Sequence, residues 1–255
     1  MLENAFVLMP AYNAGATIEK VFARIPPQAL NRIRRYVVVN DGSTDDTAAA
    51  VARLRERFPN LVGLDHGVNK GYGAAEKTLL RYAVEHHADV AILLHSDGQY
   101  SPESIPELLA PFDQDTADIV QGSRMLGGGA LRGRMPLYKF IANKALTAIE
   151  NRAFGLSLAE YHSGYMLYSR KTMLSIPFEK LSDSFDFDLE MLVCARILGL
   201  TIVEVAIPTI YAGEVSHLKP IAYGRDVLRV VRRYRRGEYS ALLDGSAPAR
   251  TAQAT

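Results

Sequence analysis

A turn rich in oxygen-bearing side chains follows an apolar segment near the middle of the chain. Residues 90–94 are all apolar, which is typical of a strand buried on both faces. Asp97 and Gln99 follow, and Gly98 between them permits a tight turn. A carboxylate and an amide two residues apart can face one cation. The alternative is an Asp-Gly turn that binds nothing, and these residues alone leave both interpretations open.

The composition bounds the class of protein. The chain has 255 residues, of which 48% are hydrophobic and 22% charged, which is ordinary for a globular protein. Its net charge of +1 gives no indication of a nucleic-acid partner. A single cysteine, Cys194, excludes a disulfide framework and suits a reducing compartment. We find no apolar stretch of membrane-spanning length, and the N-terminal residues resemble a first strand more than a signal peptide.

Short apolar segments alternate with amphipathic ones in the first half of the chain. Strands are predicted at residues 5–9, 36–39, 61–64 and 90–94, with a helix after each of the first three. This order predicts a mostly parallel sheet flanked by helices, an α/β fold. Right-handed crossovers would place the carboxyl ends of these strands on one edge, so the loops AYN, NDGS and HSDGQ should converge there.

The second half has a different order but no domain boundary. We predict strands at 118–121, 165–169 and 202–205, helices at 102–112, 136–154 and 186–198, and a flexible linker at Gly127, Gly128 and Gly129. Asp186 and Glu190 are interpreted as a charged helix start, with Asp188 facing inward. The predicted organisation is a single domain over residues 1–217, an amphipathic helix over 218–237 and a disordered tail over 238–255.

Seven segments, taken in their order along the chain, resemble the motifs of a known family. They are VLMPAYNAG, VVVNDGSTDDT, NKGYGAA, HSDGQYSPE, DIVQGSR, HSGYMLYSR and FDFDLE. Over residues 5–217 the chain resembles family 2 glycosyltransferases of the GT-A fold, and among them the polyprenyl- and dolichyl-phosphate hexose synthases. The resemblance implies inverting, metal-dependent transfer of a hexose from a UDP- or GDP-sugar, assisted by Mg²⁺ or Mn²⁺.

The resemblance also implies roles for individual residues. Asp97 and Gln99 would bind the metal, and His217 is placed to complete its site, although a lone histidine is more often structural. Asp97 and Glu160 are the expected catalytic residues, with Glu160 as the general base or as the group that orients the acceptor. The alternative for Glu160 is a loop carboxylate that caps a hydroxyl or a backbone amide. The expected donor-binding residues are Pro10, Ala11, Tyr12, Asn13, Asp41, Lys70, Gly71, Ser96, Asp97 and Arg124.

The chain departs from the family pattern at three positions. His95 stands where the family has the first acid of its D-x-D motif, Asn40 precedes Asp41 where two acids are usual, and Ile210 replaces a basic residue. The substitution at His95 motivates an alternative, a nucleotide-sugar-binding protein without transferase activity. A sugar-phosphate nucleotidyltransferase would share the sheet, but it needs a glycine-rich, arginine-containing loop where this chain has PAYNAG.

A basic amphipathic segment lies near the C-terminus. Val227, Leu228, Val231 and Tyr234 share one helical face, and arginines occupy the others. Such a helix can lie on an anionic bilayer, pack against its own domain or contact a second subunit. We therefore expect a cytoplasmic protein, peripheral at the membrane if bound to it, that acts on a lipid-phosphate, glycan or small-molecule acceptor.

Overall fold

The computed structural model describes residues 4–133, 135–208 and 220–246. Within these ranges seven strands form one sheet in the order β3-β2-β1-β4-β6-β5-β7. The strands are β1 (Ala5–Ala11), β2 (Ile33–Asn40), β3 (Leu61–Asp65), β4 (Val90–Leu93), β5 (Ile119–Ser123), β6 (Met166–Ser169) and β7 (Ile202–Ala206).

The pairing confirms a mostly parallel sheet. β1 pairs in parallel with β2 and β4, with Leu8 opposite Val37 on one side and Leu93 on the other. β2 and β3 are also parallel, as are β5 and β7, whereas β6 runs antiparallel to β4 and to β5. The carboxyl ends of the first four strands therefore lie on one edge of the sheet, where α/β folds bind ligands.

Helices cover both faces of the sheet. They are α1 (Ile18–Ala23), α2 (Pro27–Leu30), α3 (Thr47–Arg57), α4 (Tyr72–Glu85), α5 (Ile105–Asp113), α6 (Gly129–Arg132), α7 (Leu137–Phe154), α8 (Arg170–Ser175), α9 (Phe187–Leu198), α10 (Pro220–Arg235) and α11 (Glu238–Leu243). Successive side chains of a strand point to opposite faces, so Phe6 and Leu8 join the core under α4 and α9 while Val7 and Met9 join the core under α1 and α5. In the sequence, a central strand that is buried on both faces is a continuous series of apolar residues.

The structure corrects two predicted irregular segments. The predicted linker at Gly127 to Gly129 is part of a 3₁₀ turn, Leu126–Gly128, that continues into α6. Residues 238–243, predicted to be disordered, form α11, with Tyr239 and Leu242 buried. This helix was not recognised in the sequence because small and polar residues interrupt its apolar pattern. Two side chains that enter the core stabilise it, rather than a continuous apolar stripe.

The C-terminal helices pack against the domain. Val227, Val230 and Val231 of α10 are buried in the core, which selects the interpretation in which this helix covers its own domain. Arg233 forms a buried ion pair with Glu190 of α9, and Tyr239 donates a hydrogen bond to the same carboxylate at 2.7 Å. Glu190 lies in the first turn of α9, as predicted, and it is fully buried there. Among the described residues, no helix combines the length and apolar character needed to cross a bilayer.

Candidate active site

The loops after β1, β2 and β4 are joined by hydrogen bonds. The backbone N–H of Asn13 donates to Ser43 Oγ, and the Asn13 side-chain oxygen accepts from the N–H of Thr44, both at 2.9 Å. Ser96 Oγ donates to the carbonyl of Pro10 at 2.9 Å. Ala11 O accepts from the N–H of Asp41 at 2.8 Å. Segments more than eighty residues apart in sequence therefore form one continuous rim at the edge of the sheet.

Asp41 anchors the glycine-rich loop that follows β3. Its carboxylate accepts hydrogen bonds from the backbone N–H groups of Lys70 at 2.9 Å and Gly71 at 3.0 Å, and it lies 2.7 Å from His66 Nδ1. Gly42 has φ +68°, and a Cβ there would lie 2.3 Å from the backbone nitrogen of Asn69, so only glycine fits. The Asp41 carboxylate thus holds the loop against the rim, while the Lys70 side chain stays exposed.

Asp97 and Gln99 occupy a tight turn directly after β4. Asp97 Oδ1 accepts from the backbone N–H of Gln99 at 2.9 Å, and Gly98 at φ +80° allows the reversal. Both side chains are partly exposed on the rim. Their carboxylate and amide oxygens are the donors that Mg²⁺ and Mn²⁺ prefer, so this donor set fits such an ion. No cluster of three His, Cys, Asp or Glu side chains that could hold a metal occurs in the described ranges. His217 lies outside the described residues.

His95 is enclosed by two tyrosines beside that turn. Its ring meets Tyr72 and Tyr100 edge to face, and a Cβ at Gly164 would lie 2.7 Å from the imidazole. Tyr72 donates its hydroxyl proton to Asp188 at 2.8 Å and lies 3.0 Å from His95 Nε2. Because Tyr72 has one proton to give, the hydrogen-bond network assigns the Nε2–H tautomer to His95. Burial lowers the pKa of His95, which favours a neutral ring.

Two buried acids lie behind His95. Glu76 of α4 and Asp188 of α9 are almost inaccessible to solvent. Burial, followed by the charge of Asp188, raises the pKa of Glu76 well above its ordinary range, which favours its protonated form. Burial also raises the pKa of Asp188, but hydrogen bonds donated by Tyr72 and Tyr168 act in the opposite direction and favour its charged form. The inward position predicted for Asp188 is the observed one.

Glu160 supports the opposite wall of the site. Its fully buried carboxylate accepts from the backbone N–H of Arg124 and of Met125, from Arg124 Nη2 at 2.9 Å and from Asn143 Nδ2 at 3.4 Å. Burial would raise the pKa of Glu160, but the adjacent Arg124 guanidinium outweighs it and lowers the pKa. The structure therefore shows the backbone-capping arrangement that the sequence left as an alternative for Glu160.

Tyr100 connects the two walls. Its ring packs edge to face on His95 and lies 5.9 Å from the Arg124 guanidinium carbon, and its hydroxyl accepts from the N–H of Gly164 at 2.8 Å. Tyr100 thus lies between the loop after β4 and the segments that carry Arg124 and Glu160.

Four side chains that line or support the site were not predicted from the sequence: Tyr72, Glu76, Tyr100 and Tyr168. Glu76 could have been found, because it shares the apolar face of α4 with Ala75, Leu79 and Leu80 and an acid in such a stripe is unusual. The tyrosines carried no comparable pattern, since a buried tyrosine in an apolar segment is common in cores.

Comparison with known proteins adds an independent finding. The model of the family described as "Glycosyl transferase family 2" matches residues 6–174. The UDP-N-acetylglucosamine–dolichyl-phosphate N-acetylglucosaminyltransferase of Methanococcus voltae is 28% identical over 218 residues, which cover 81% of this chain and 85% of that protein. The undecaprenyl-phosphate mannosyltransferase of Micrococcus luteus is 30% identical over 211 residues, covering 80% of this chain and 82% of the relative.

A solved structure has the same architecture. Glucosyl-3-phosphoglycerate synthase from Mycobacterium tuberculosis, in complex with Mn²⁺, uridine diphosphate and phosphoglyceric acid, superposes with a TM-score of 0.66. The match covers 91% of this chain and 78% of that chain at 20% identity. At that identity the likeness shows a shared fold, and the fold is the GT-A fold expected from sequence.

Proposed function

Because the chain belongs to glycosyl transferase family 2, we propose that it is an inverting enzyme that transfers a hexose from a UDP- or GDP-sugar to a polyprenyl phosphate. Two of its relatives are named for transfer to dolichyl or undecaprenyl phosphate, which supports a lipid phosphate as the acceptor class.

One observation carries the proposal: the loops after β1, β2 and β4 form a joined rim around Asp97 and Gln99. A nucleotide needs contacts for its base and ribose beside contacts for its diphosphate, and these must be held at a fixed separation. The Pro10 to Asn13 segment, the loop held by Asp41, and the turn at Asp97 supply such a series. We therefore assign the base and ribose to the first two and the diphosphate to the third.

We assign Asp97 and Gln99 to a divalent cation, Mg²⁺ or Mn²⁺. A bound cation stabilises the negative charge that develops on the departing nucleoside diphosphate. Asp97 contributes charge and Gln99 a neutral oxygen from one rigid turn. The neutral state of His95 suits this arrangement, because a protonated ring beside these ligands would repel the cation.

In this proposal, Arg124 binds the phosphate of the acceptor. A lipid phosphate is already an anion, so its oxygen can attack the anomeric carbon from the side opposite the leaving diphosphate with little help from a base. Arg124 can pair with this phosphate through its planar guanidinium. We propose that Glu160 orients Arg124 and is not the proton acceptor, because both of its oxygens are already engaged by donors and its pKa is lowered.

A second function, nucleotide-sugar binding without transfer, is favoured by one observation, the presence of His95 where an acid was expected. The deciding experiment measures sugar transfer from radiolabelled UDP- and GDP-sugars to undecaprenyl phosphate with Mn²⁺ or Mg²⁺. We expect metal-dependent transfer by the wild-type protein and a loss of at least about 100-fold in Asp97→Ala, as for a removed electrostatic stabiliser of the transition state. Donor binding with no transfer to any lipid phosphate would favour the second function.

We further propose that the protein meets its acceptor at an anionic membrane surface on the cytoplasmic side. α7 exposes large apolar side chains that its neighbours leave uncovered: Leu137, Tyr138, Ile141 and Ile149. The adjacent α10 exposes basic ones, Arg225, Arg229, Arg232 and Arg235, and the exposed Arg236 follows it directly. Apolar side chains flanked by arginines match the interface of a bilayer that contains anionic lipids.

Sedimentation with vesicles tests this membrane contact. We expect binding to phosphatidylcholine vesicles that contain phosphatidylglycerol, weaker binding without it, and a clear loss in Ile141→Asp. Leu174→Asp is the matched control, because Leu174 is equally exposed, 59% against 58%, but lies on α8. Equal sedimentation of the two variants would contradict the proposal.

A further inference from the structure

A second buried polar group lies behind the wall that contains Arg124. It consists of Glu150 on α7, His162 in the loop before β6, and Tyr223 on α10. His162 Nε2 lies 3.2 Å from Glu150 Oε2, and His162 Nδ1 lies 3.0 Å from the Tyr223 hydroxyl. The imidazole thus joins two helices that are distant in sequence, and none of the functions proposed above uses these three side chains.

Glu150 is the unusual member. Its side chain is 0% exposed, and His162 is its ion-pair partner in the described part of the chain. Neither Glu150 oxygen has a hydrogen bond of good geometry among the described residues. Burial raises the pKa of Glu150, and His162 partly offsets this effect. A buried carboxyl group without a partner is unfavourable, so the pair depends on His162 remaining in place.

Polar and charged groups from other segments lie next to this pair. Tyr223 faces His162 from α10, Arg124 approaches from the end of β5, and Glu160 lies two residues away in the same loop. The helix α7 contributes Glu150 itself. The pair is therefore largely shielded from solvent and lies next to the charged groups Arg124 and Glu160.

The backbone of His162 contacts the site directly. Its carbonyl oxygen accepts a 2.6 Å hydrogen bond from Arg124 Nη2, the same nitrogen that donates to Glu160. The next residue, Ser163, donates its hydroxyl proton to the carbonyl of Gly122, and the N–H of Gly164 donates to Tyr100. Because both ring nitrogens of His162 have partners on α7 and α10, these contacts restrict where the backbone of residue 162 can lie, and with it the carbonyl that Arg124 contacts.

We propose that His162 is a positioning residue for the transfer reaction, held between Glu150 and Tyr223 so that its carbonyl directs the Arg124 guanidinium towards the phosphate of the acceptor. This inference rests on the proposed function, because it takes Arg124 as the group that meets that phosphate. Donor binding does not involve the three side chains. Substitutions of Glu150, His162 or Tyr223 should therefore weaken acceptor binding and leave donor binding unchanged.

Steady-state kinetics with undecaprenyl phosphate test the inference. We expect Glu150→Gln and His162→Gln to raise the KM for the lipid phosphate about tenfold, the effect of weakening one charge-assisted hydrogen bond. The KM for the sugar nucleotide and its binding with Mn²⁺ should stay within about twofold, because the donor loops are separate. Tyr223→Phe should raise the acceptor KM by a smaller factor, since it leaves the pair with Glu150 intact. Tyr239→Phe, another buried tyrosine, is the control and should leave both KM values unchanged.

An activity-independent measurement separates this inference from the proposed function. The side-chain ¹⁵N signals of Arg124 should be resolved in the wild-type protein at low temperature and in Tyr239→Phe, and be broadened in Glu150→Gln. If the wild-type protein transfers no sugar to lipid phosphates, the proposed function fails. These spectra still decide whether Glu150 and His162 hold Arg124 in place. Unchanged spectra and an unchanged acceptor KM in folded Glu150→Gln would overturn the inference, as would an equal loss of donor and acceptor affinity.

Discussion

At the scale of single residues, the site shows how one functional group takes different roles in different surroundings. The carboxyl groups of Asp41 and Glu160 are occupied by backbone N–H groups of neighbouring loops, whereas Asp97 stays accessible on the rim. Burial next to Asp188 raises the pKa of Glu76 and favours its neutral form. Position relative to solvent and to donors, rather than residue type, thus decides which acid can bind a cation.

The raised pKa of Glu76 predicts how stability changes with pH. As pH rises above about 4.5, Glu76 ionises in the unfolded chain but stays protonated in the folded one, so its presence lowers stability progressively. Relative to wild type, Glu76→Gln should gain free energy of unfolding with rising pH, by at most about 1.4 kcal/mol per pH unit. Urea unfolding between pH 4 and pH 8 measures this, with Glu85→Gln on the exposed face of α4 as the control. A constant difference across this range would show that folded Glu76 ionises normally.

Glu160 predicts the opposite dependence. Its pKa is lowered in the folded state, so the unfolded chain takes up the proton first and the Arg124 pair loses its stabilising effect as pH falls below about 4.5. The destabilisation caused by Glu160→Gln should be full at pH 6 and should shrink towards pH 3. Chemical unfolding at a series of pH values measures it, and a difference that grew on acidification would refute the assignment.

At the scale of elements, the C-terminal helices are attached by a buried ion pair. Arg233 on α10 meets Glu190 on α9, and Tyr239 on α11 shares the same carboxylate. Ser182 adds a backbone hydrogen bond of 2.6 Å to Glu190. Three helices and one loop thus converge on one carboxylate. This convergence explains why residues that look weakly helical in sequence are ordered beyond α10.

Removing one partner of this ion pair should be costly. Arg233→Met leaves Glu190 buried without its main countercharge, which we expect to lower the free energy of unfolding by about 3–5 kcal/mol. The double variant Glu190→Met, Arg233→Met should recover much of the loss, because it removes both charges. Thermal and urea unfolding of the two variants measure the difference. Equal destabilisation of the single and double variants would mean that packing, not charge, dominates at this junction.

At the scale of the whole molecule, the site spans two halves of the sheet. The parallel strands β1, β2 and β4 carry the rim assigned to the donor, and β5 with the loop before β6 carries Arg124 and Glu160. Tyr100 lies between them. A ligand that contacts both halves should therefore stabilise the entire fold rather than one loop.

Ligand-dependent unfolding tests this expectation. At about 100 times its dissociation constant, a correct nucleotide adds about 2.7 kcal/mol, which corresponds to a Tm increase of roughly 5–10 °C for a chain of this size. We expect UDP or GDP to give this shift with Mn²⁺ and a smaller one without it. Asp97→Ala should lose the metal-dependent part while keeping the part due to nucleotide alone. A shift equally large without metal would argue against the assigned cation site.

Local patterns predicted most of the fold. Strands predicted at 5–9, 36–39 and 61–64 occur within a few residues of those positions, because buried parallel strands are short apolar runs and are easily distinguished from amphipathic helices. The glycine-rich segment after β5 was mistaken for a linker, since glycine lowers helical propensity and only neighbouring structure compensates for it. The short α8 was also missed, because six residues are too few to show a helical period.

The sequence by itself determined the family, the alternation of the main strands and helices along the chain, and the set of polar loops that meet at one edge, because all of these follow from residue types along the chain. Only the tertiary structure decided what each polar side chain contacts. Glu160 faces Arg124 rather than solvent, and His162 meets Glu150 and Tyr223, through contacts between residues far apart in sequence. Hydrogen bonds and pKa shifts depend on distance in space and on burial, and neither is encoded in local spacing.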